Sequence, residues 1–280
     1  MDNYAKVNNI RLHYLDHPGG EPTLVLMPGI TANAHSFDGL IKAGLSPAFR
    51  VLALDLRGRG LSDKPESGYT MADHAADVLG LMDTLGFEKV VLGGHSFGAL
   101  LTFYIAAHYP RRVEKLILLD AAASMHPRVR ELLKPSLDRL GKVVSSWDVY
   151  LNAMKQAPYF ENWWDPAIES YYRADVQINE DGTVQPRSRP ENILEALDGV
   201  LAEPWHEHIA KIRQPAILFN ALGPMGRAGA PPLLPYEQAQ ETVRALKDCR
   251  YVEVPGNHLT MVYGDGARRM VSAIMGFVKG

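Results

Sequence analysis

Eighteen consecutive residues, from Val90 to Ala107, carry no formally charged side chain. An uncharged stretch of this length forms either a membrane-spanning helix or a pair of buried elements. Gly93, Gly94 and Gly98 fall in its first half, and clustered glycine is typical of a tight turn. We therefore expect a buried strand, a sharp turn at Ser96 and a buried helix, in a protein that does not span a membrane.

The same alternation continues through most of the chain. Short runs rich in Val, Ile and Leu alternate with stretches of helical period, which is typical of an α/β fold whose mainly parallel sheet has helices on both faces. Asn8-Asn9 predicts a hairpin turn, and Thr70 with Asp73 resembles a capping box. The predicted strands are residues 10–14, 23–27, 50–56, 89–93, 113–119, 216–221 and 250–254, and the predicted helices are residues 36–43, 70–85, 99–108, 235–246 and 265–278.

The alternation stops between residues 121 and 214, where no strand-like run is visible and prolines separate several short amphipathic helices. We interpret these residues as a helical lid inserted into a core domain made of residues 1–120 and 215–280. All four tryptophans lie in the insertion, and aromatic side chains on a lid suit a partly apolar substrate. A small core within the lid is the alternative for each of them. The residues predicted to contact substrate are Trp147, Tyr150, Trp163 and Trp164.

Composition limits the partners. The 29 Lys and Arg against 32 Asp and Glu give a net charge of -3 with no basic block, which argues against a nucleic-acid partner. Cys249 is the only cysteine and cannot form an intramolecular disulfide, and the first residues do not resemble a secretory signal. We expect a cytoplasmic protein with a small-molecule substrate, and the sequence leaves open whether it forms a homodimer.

The turn Gly94-His95-Ser96-Phe97-Gly98, set between a strand and a helix, predicts a nucleophilic serine held above the sheet. A serine hydroxyl needs a base at neutral pH, and histidine suits that task. His258 follows the last predicted strand, so its loop reaches the same edge of the sheet as Ser96. His95 belongs to the turn itself and is expected to line the wall of the site. A structural serine in a glycine-rich loop is the alternative.

An acid is needed to orient the histidine, and two carboxylates compete for this role. The stretch after strand 216–221 has no carboxylate before Glu237. Asp120 closes an apolar strand, where burying a carboxylate is costly unless the group is paired. We favour Asp120 over Glu237, and capping of the first lid helix is the alternative for Asp120.

Acyl transfer also needs hydrogen-bond donors for the developing oxyanion. The backbone N–H groups of Phe97 and Ile30 are placed to supply them, and Gly29 permits a close approach of the backbone to substrate. This chemistry requires no metal and no organic cofactor. His206 and His208 could suggest a metal site, but residues two apart on a helix do not share a face.

Together these motifs resemble the α/β-hydrolase superfamily. The resemblance spans nearly the whole chain outside the lid and includes Pro28-Gly29-Ile30-Thr31, residues 55–62 (DLRGRGLS), the turn at Ser96 and Gly256-Asn257-His258. It implies an α/β-hydrolase fold and a Ser-His-acid triad that forms an acyl-enzyme. Ser96 excludes the haloalkane dehalogenases and epoxide hydrolases, which attack with a carboxylate at this position.

The position of the acid resembles a subset of the superfamily that includes N-formylmaleamate deformylases, acetamidomethylene-succinate hydrolases and zearalenone lactonases. Amide or lactone hydrolysis in a catabolic pathway therefore stays open. A small, more apolar carboxylic ester is the preferred expectation, because the lid arginines show no pair placed to hold a dicarboxylate. The further alternatives are a carbon–carbon hydrolase or lyase and a non-catalytic ligand receptor. The lid arginines considered are Arg128, Arg130, Arg139 and Arg173.

Overall fold

A single large sheet forms the centre of the protein. The computed structural model describes residues 2–161 and 163–280, and ten strands lie within these residues. Eight of them form the central sheet and two form a separate hairpin. The strands are β1 (Asp2–Val7), β2 (Ile10–His17), β3 (Leu24–Met27), β4 (Val51–Leu54), β5 (Val90–His95), β6 (Val113–Leu119), β7 (Val176–Ile178), β8 (Val184–Pro186), β9 (Ala216–Asn220) and β10 (Cys249–Glu253).

The central sheet has the strand order β1-β2-β4-β3-β5-β6-β9-β10. β2 pairs antiparallel with both β1 and β4, whereas the other neighbouring strands are parallel. β3, β4, β5 and β9 are buried along their whole length, which explains why they read as continuous apolar runs. The predicted N-terminal hairpin is confirmed, with φ of 43° at Asn8 and 62° at Asn9 in its turn.

Helices connect the strands and flank the sheet. The capping box predicted at the start of α3 is present, since Thr70 and Asp73 each accept a hydrogen bond from the other's backbone N–H. Short 3₁₀ segments occupy Ala34–Phe37, Pro110–Arg112 and Pro158–Phe160. The α-helices of the described residues are α1 (Asp38–Lys42), α2 (Leu45–Ala48), α3 (Met71–Thr84), α4 (Phe97–His108), α5 (Val129–Asp138), α6 (Trp147–Lys155), α7 (Ala167–Asp175), α8 (Pro190–Ala202), α9 (Trp205–Lys211), α10 (Tyr236–Ala245) and α11 (Gly264–Lys279).

The uncharged stretch of residues 90–107 forms β5 and most of α4, as expected for a strand, a sharp turn and a helix. Close packing explains the glycines of the turn. A Cβ atom on Gly98 would lie 1.9 Å from the carbonyl oxygen of Met27, and one on Gly94 would lie 2.3 Å from the carbonyl carbon of Gly98. Over the described residues, no helix combines the length and the hydropathy needed to cross a membrane.

The predicted strands all occur, with ends that shift by at most three residues. The expectation of helices alone between residues 121 and 214 is wrong, because β7 and β8 form an antiparallel hairpin there beside helices α5 to α9. Each hairpin strand has only three residues, too few for a strand-like apolar run to be recognised. The last helix of this region, α9, packs against α4.

Candidate active site

Ser96 lies between β5 and α4, at the carboxyl edge of the sheet. Its backbone has φ of 55° and ψ of −115°, a strained combination that is found mainly at functional sites. The Ser96 N–H donates to the carbonyl oxygen of Leu119 at 2.9 Å, which ties the turn to the end of β6. Ser96 lines a cavity of about 60 Å³ that lies between the sheet edge and the inserted region.

The loop after β10 places His258 in the wall of the same cavity. Asn257 fixes this loop from both sides. Its side-chain N–H donates to the carbonyl oxygen of Tyr159 at 2.8 Å, and its Oδ1 accepts from the N–H groups of Leu259 and Thr260 at 3.0 Å each. The backbone of His258 is therefore held by its neighbours and by the inserted region, and its side chain is only 2% exposed.

Asp120 follows β6 and is fully buried. Its Oδ2 lies 2.7 Å from Nδ1 of His258, and its Oδ1 accepts hydrogen bonds from Asn220 Nδ2 at 2.9 Å and from the Ala221 N–H at 2.8 Å. Three donors thus offset the cost of burying a carboxylate. A carboxylate only accepts, so Nδ1 of His258 is the donor in this bond, and the predicted role as general base falls to Nε2.

The last residue of β9 is Asn220, so this strand ends in an amide and not in a carboxylate. The Asn220 side chain is oriented by two neighbours: its Nδ2 donates to the Leu234 carbonyl at 3.0 Å, and its Oδ1 accepts from the Tyr251 hydroxyl at 3.1 Å. This orientation turns the amide N–H towards Asp120. Glu237, the other candidate for the acid, is exposed on the first turn of α10.

The two residues predicted to bind the oxyanion through their N–H groups flank Ser96. Phe97 begins α4, where a backbone N–H has no partner within the helix. The loop that carries Ile30 passes beside the turn, as the neighbouring Gly29 shows: a Cβ atom on Gly29 would lie 3.7 Å from the Cβ of Ser96. Ile30, Ser96 and Phe97 all line one cavity, and the binding of an oxyanion by the two N–H groups stays a prediction.

Arg59 connects the two predicted donor residues, and the sequence offered no reason to single it out. The side chain is fully buried, its Nε donates to the Ile30 carbonyl at 3.0 Å, and its guanidinium lies 5.3 Å from the centre of the Phe97 ring. Nη1 donates to the Arg57 carbonyl at 2.7 Å and to Nε2 of His74 at 2.9 Å. Burial lowers the pKa of Arg59 to about 9, so the group is a cation at neutral pH.

His95 lines the cavity beside Ser96, as predicted. Its Nε2 donates to the carbonyl oxygen of His258 at 2.7 Å, and the two imidazole rings lie 4.5 Å apart. Burial, followed by the nearby His258, lowers the pKa of His95 well below its ordinary value. His95 is therefore neutral. It holds the His258 backbone in place and does not compete with His258 for the proton of Ser96.

Aromatic residues from the inserted region do line the cavity, although they are not the ones selected from the sequence. Trp147 stacks on Tyr150, whose hydroxyl donates to Asp175 at 2.7 Å, and Trp164 stacks on Tyr172. Trp163 lines a separate surface groove. None of these four residues belongs to the described lining of the Ser96 cavity, and their contact with substrate stays a prediction. The aromatic residues of the lining are Tyr159, Phe160, Tyr171, Tyr172 and Tyr263.

Arg139 also lines the cavity. Its Nη1 donates to the buried carboxylate of Asp175, and its Nη2 donates to the Thr31 carbonyl at 3.1 Å. The charge of Arg139 is thus neutralised within the protein. Of the other arginines between residues 121 and 214, Arg130 pairs with Asp198 at 2.7 Å in an exposed ion pair, and Arg173 lies over the Trp147 ring.

His206 and His208 point to different partners. Nε2 of His208 lies 2.9 Å from Glu203, and Nε2 of His206 lies 3.2 Å from the Ser124 hydroxyl. Across residues 2–161 and 163–280, no three His, Cys, Asp or Glu side chains are grouped so that they could hold a metal ion.

Comparison with known proteins identifies the family. A family model described as alpha/beta hydrolase fold matches residues 22–264, so the chain belongs to this family and is an α/β-hydrolase-fold enzyme. N-formylmaleamate deformylase of Pseudomonas putida is 30% identical over 226 residues, which are 80% of this chain and 78% of that protein. The 2-(acetamidomethylene)succinate hydrolase of Mesorhizobium japonicum is 42% identical over 102 residues, and the match covers only 36% of each protein.

Solved structures agree on the fold. The crystal structure of an E-2-(acetamidomethylene)succinate hydrolase superposes with a TM-score of 0.84 at 24% identity, covering 100% of this chain and 99% of that one. The enol-lactonase from Burkholderia xenovorans superposes with a TM-score of 0.75, also at 24% identity, covering 99% of this chain and 100% of that one. The α/β-hydrolase fold expected from the motifs is therefore confirmed.

The Asp120 carboxylate is predicted to be essential for the action of His258 as the general base. Asp120→Asn replaces an acceptor by a group that can also donate, which favours the wrong tautomer of His258, and kcat for p-nitrophenyl butyrate should fall by about 10⁴-fold. The matched control is Glu237→Gln, whose exposed side chain should leave kcat at the wild-type value. The opposite pattern in the two variants would move the acid to α10.

Arg59 is predicted to position the two oxyanion donors. Arg59→Met should lower kcat for p-nitrophenyl butyrate by about tenfold to a hundredfold, less than the loss of a direct donor, while KM stays near wild type. Binding of a trifluoromethyl ketone, whose adduct carries an oxyanion, should weaken by a similar factor. Arg50→Met, which breaks the half-buried pair with Asp16 away from the site, is the control. A rise in KM with unchanged kcat would contradict the positioning role.

Proposed function

We propose that this protein is a serine hydrolase that cleaves a small carboxylic ester through an acyl-enzyme. The observation that carries this proposal is the buried hydrogen bond from Asp120 to His258, an imidazole that lines the same cavity as Ser96. A base with a fixed tautomer beside a strained serine is the arrangement that makes a hydroxyl nucleophilic at neutral pH.

The proposed reaction has two halves. Nε2 of His258 takes the proton of Ser96 as Oγ attacks the substrate carbonyl, and the N–H groups of Ile30 and Phe97 donate to the oxyanion. His258 then gives this proton to the oxygen of the leaving alcohol as the bond from that oxygen to the carbonyl carbon breaks. The acyl group stays bonded to Oγ of Ser96. Water, activated by the same nitrogen, attacks the acyl-enzyme, and the carboxylic acid leaves as Ser96 regains its proton.

The charges in the cavity favour an uncharged substrate. Among the described residues that line the Ser96 cavity, Arg139 is the only Lys or Arg, and Asp175 neutralises it. A dicarboxylate would have to bring two negative charges into this cavity and find no free cation to pair with either. Most of the remaining lining is apolar or aromatic, which suits a small neutral ester.

Amide or lactone hydrolysis is the second candidate. It is favoured by the names of the relatives, since one is a deformylase and another an enol-lactonase. Both reactions use the same serine, histidine and oxyanion donors, and they differ in the leaving group that His258 must protonate. The lid proposed for residues 121–214 would enclose either substrate.

The role of Ser96 can be tested directly. Ser96→Ala should abolish turnover of p-nitrophenyl butyrate and prevent covalent labelling by a fluorophosphonate, while the circular dichroism spectrum stays that of wild type. The control is Ser124→Ala, a serine outside the cavity that bonds to His206, which should keep both activities. A panel of esters, lactones and N-acyl amides then ranks the two candidate reactions.

Labelling that persists in Ser96→Ala would remove this residue from the mechanism. Folded wild type that is neither labelled nor able to turn over any compound in the panel would favour a ligand receptor.

A further inference from the structure

A second cavity meets the first at Ser96. Its volume is about 40 Å³, against about 60 Å³ for the first cavity. Ile30, Ser96 and Leu133 line both, so the two cavities extend from one shared wall in different directions. A substrate whose carbonyl carbon reaches Ser96 therefore has two separate spaces for the groups on either side of that carbon.

The lining of the second cavity is almost wholly hydrocarbon. Apart from Ser96, the side chains that form it carry neither a hydroxyl nor a charge. Leu133, Leu197 and Val200 are at most 9% exposed, so an apolar group placed here would be removed from water. The residues that define its surface beyond the shared wall are Phe97 and Leu100 of α4, Met125, Val129 of α5, Leu197, Val200 and the more exposed Leu201 of α8, and Leu233.

The two cavities differ in their access to the base. His258 and His95 line the first cavity but do not line the second. In acyl transfer the histidine must reach the leaving atom in order to protonate it. The leaving alcohol or amine must therefore occupy the first cavity, and the acyl group is left with the space that His258 does not reach.

We propose that the second cavity, bounded by α4, α5 and α8, is the acyl subsite and that it selects a saturated hydrocarbon acyl chain. This proposal rests on the proposed function and adds the substrate class to it. The leaving group then lies against the aromatic side chains, hydroxyls and neutralised Arg139 of the first cavity. The chemistry of the two sides predicts an ester or amide of a short aliphatic acid with a more polar or aromatic alcohol or amine.

The acyl subsite predicts how kcat/KM depends on chain length. Each methylene that enters an apolar cavity should raise kcat/KM by about fourfold until the cavity is full. The measurement uses p-nitrophenyl acetate, butyrate and hexanoate, which share a leaving group, and in parallel a series of butyrate esters with different alcohols.

Two substitutions should move the preference in opposite directions. Val200→Phe fills the cavity and should lower the hexanoate-to-acetate ratio of kcat/KM at least tenfold, whereas Leu197→Ala enlarges it and should raise the preference for the longer chain. Leu194→Phe, at an exposed position of the same helix, should keep the wild-type ratio. Ile168→Phe, which narrows only the first cavity, should change the ranking of the alcohols and not that of the acyl chains.

The outcomes separate this inference from the proposed function. The acyl subsite is supported if Val200→Phe and Leu197→Ala change the acyl series alone. It is overturned if they change the alcohol series instead, or if folded variants leave both series unaltered. If wild type hydrolyses none of these esters, the proposed ester hydrolysis itself fails, and the acyl subsite fails with it.

Discussion

The hydrogen bond between Asp120 and His258 is the interaction on which the rest of the site depends. It joins a fully buried carboxylate to an imidazole that is almost as buried, at 2.7 Å. A carboxylate in such a place is costly unless donors surround it, and here the donors come from His258, Asn220 and Ala221. The ends of β6 and β9 and the loop after β10 are thereby tied to one point, and that point determines which imidazole nitrogen faces the cavity.

Side chains around this pair hold the histidine loop and the residues beside Ser96 in position. Asn257 holds the histidine loop against the inserted region, and His95 donates to the backbone of His258 from the other side. Arg59 links the carbonyl of Ile30 to the ring of Phe97, so a single buried side chain holds the two residues whose N–H groups are proposed to bind the oxyanion. Because the groups are fixed before substrate arrives, little reorganisation is required during the reaction.

Local signals made much of this arrangement predictable. Apolar runs located the strands, and the glycines around Ser96 located the sharp turn because backbone packs where their side chains would be. The cost of burying a carboxylate predicted a partner for Asp120, and the structure places His258 there. The fold could be derived because its determinants, periodicity and turn chemistry, act over short stretches of chain.

The remaining features depend on contacts that are distant in sequence. Nothing local marks Arg59 as different from Arg57, yet Arg57 pairs with Asp77 while Arg59 contacts carbonyl oxygens and aromatic rings. Which aromatic residues between 121 and 214 line the cavity also depends on distant contacts, since tryptophan and tyrosine serve equally as lining or as support. The hairpin of β7 and β8 is too short to have a recognisable period.

A crystal structure of the protein inactivated by a p-nitrophenyl alkylphosphonate would test whether Ser96, His258 and the two oxyanion donors act at one point. We expect a covalent bond from Ser96 Oγ to phosphorus and a phosphoryl oxygen about 2.7 to 3.1 Å from the N–H groups of Ile30 and Phe97. Nε2 of His258 should lie within hydrogen-bonding distance of Ser96 Oγ, and the alkyl chain should lie among α4, α5 and α8. Phosphorus bonded to another residue, or an imidazole directed away from Ser96 Oγ, would contradict the proposed mechanism.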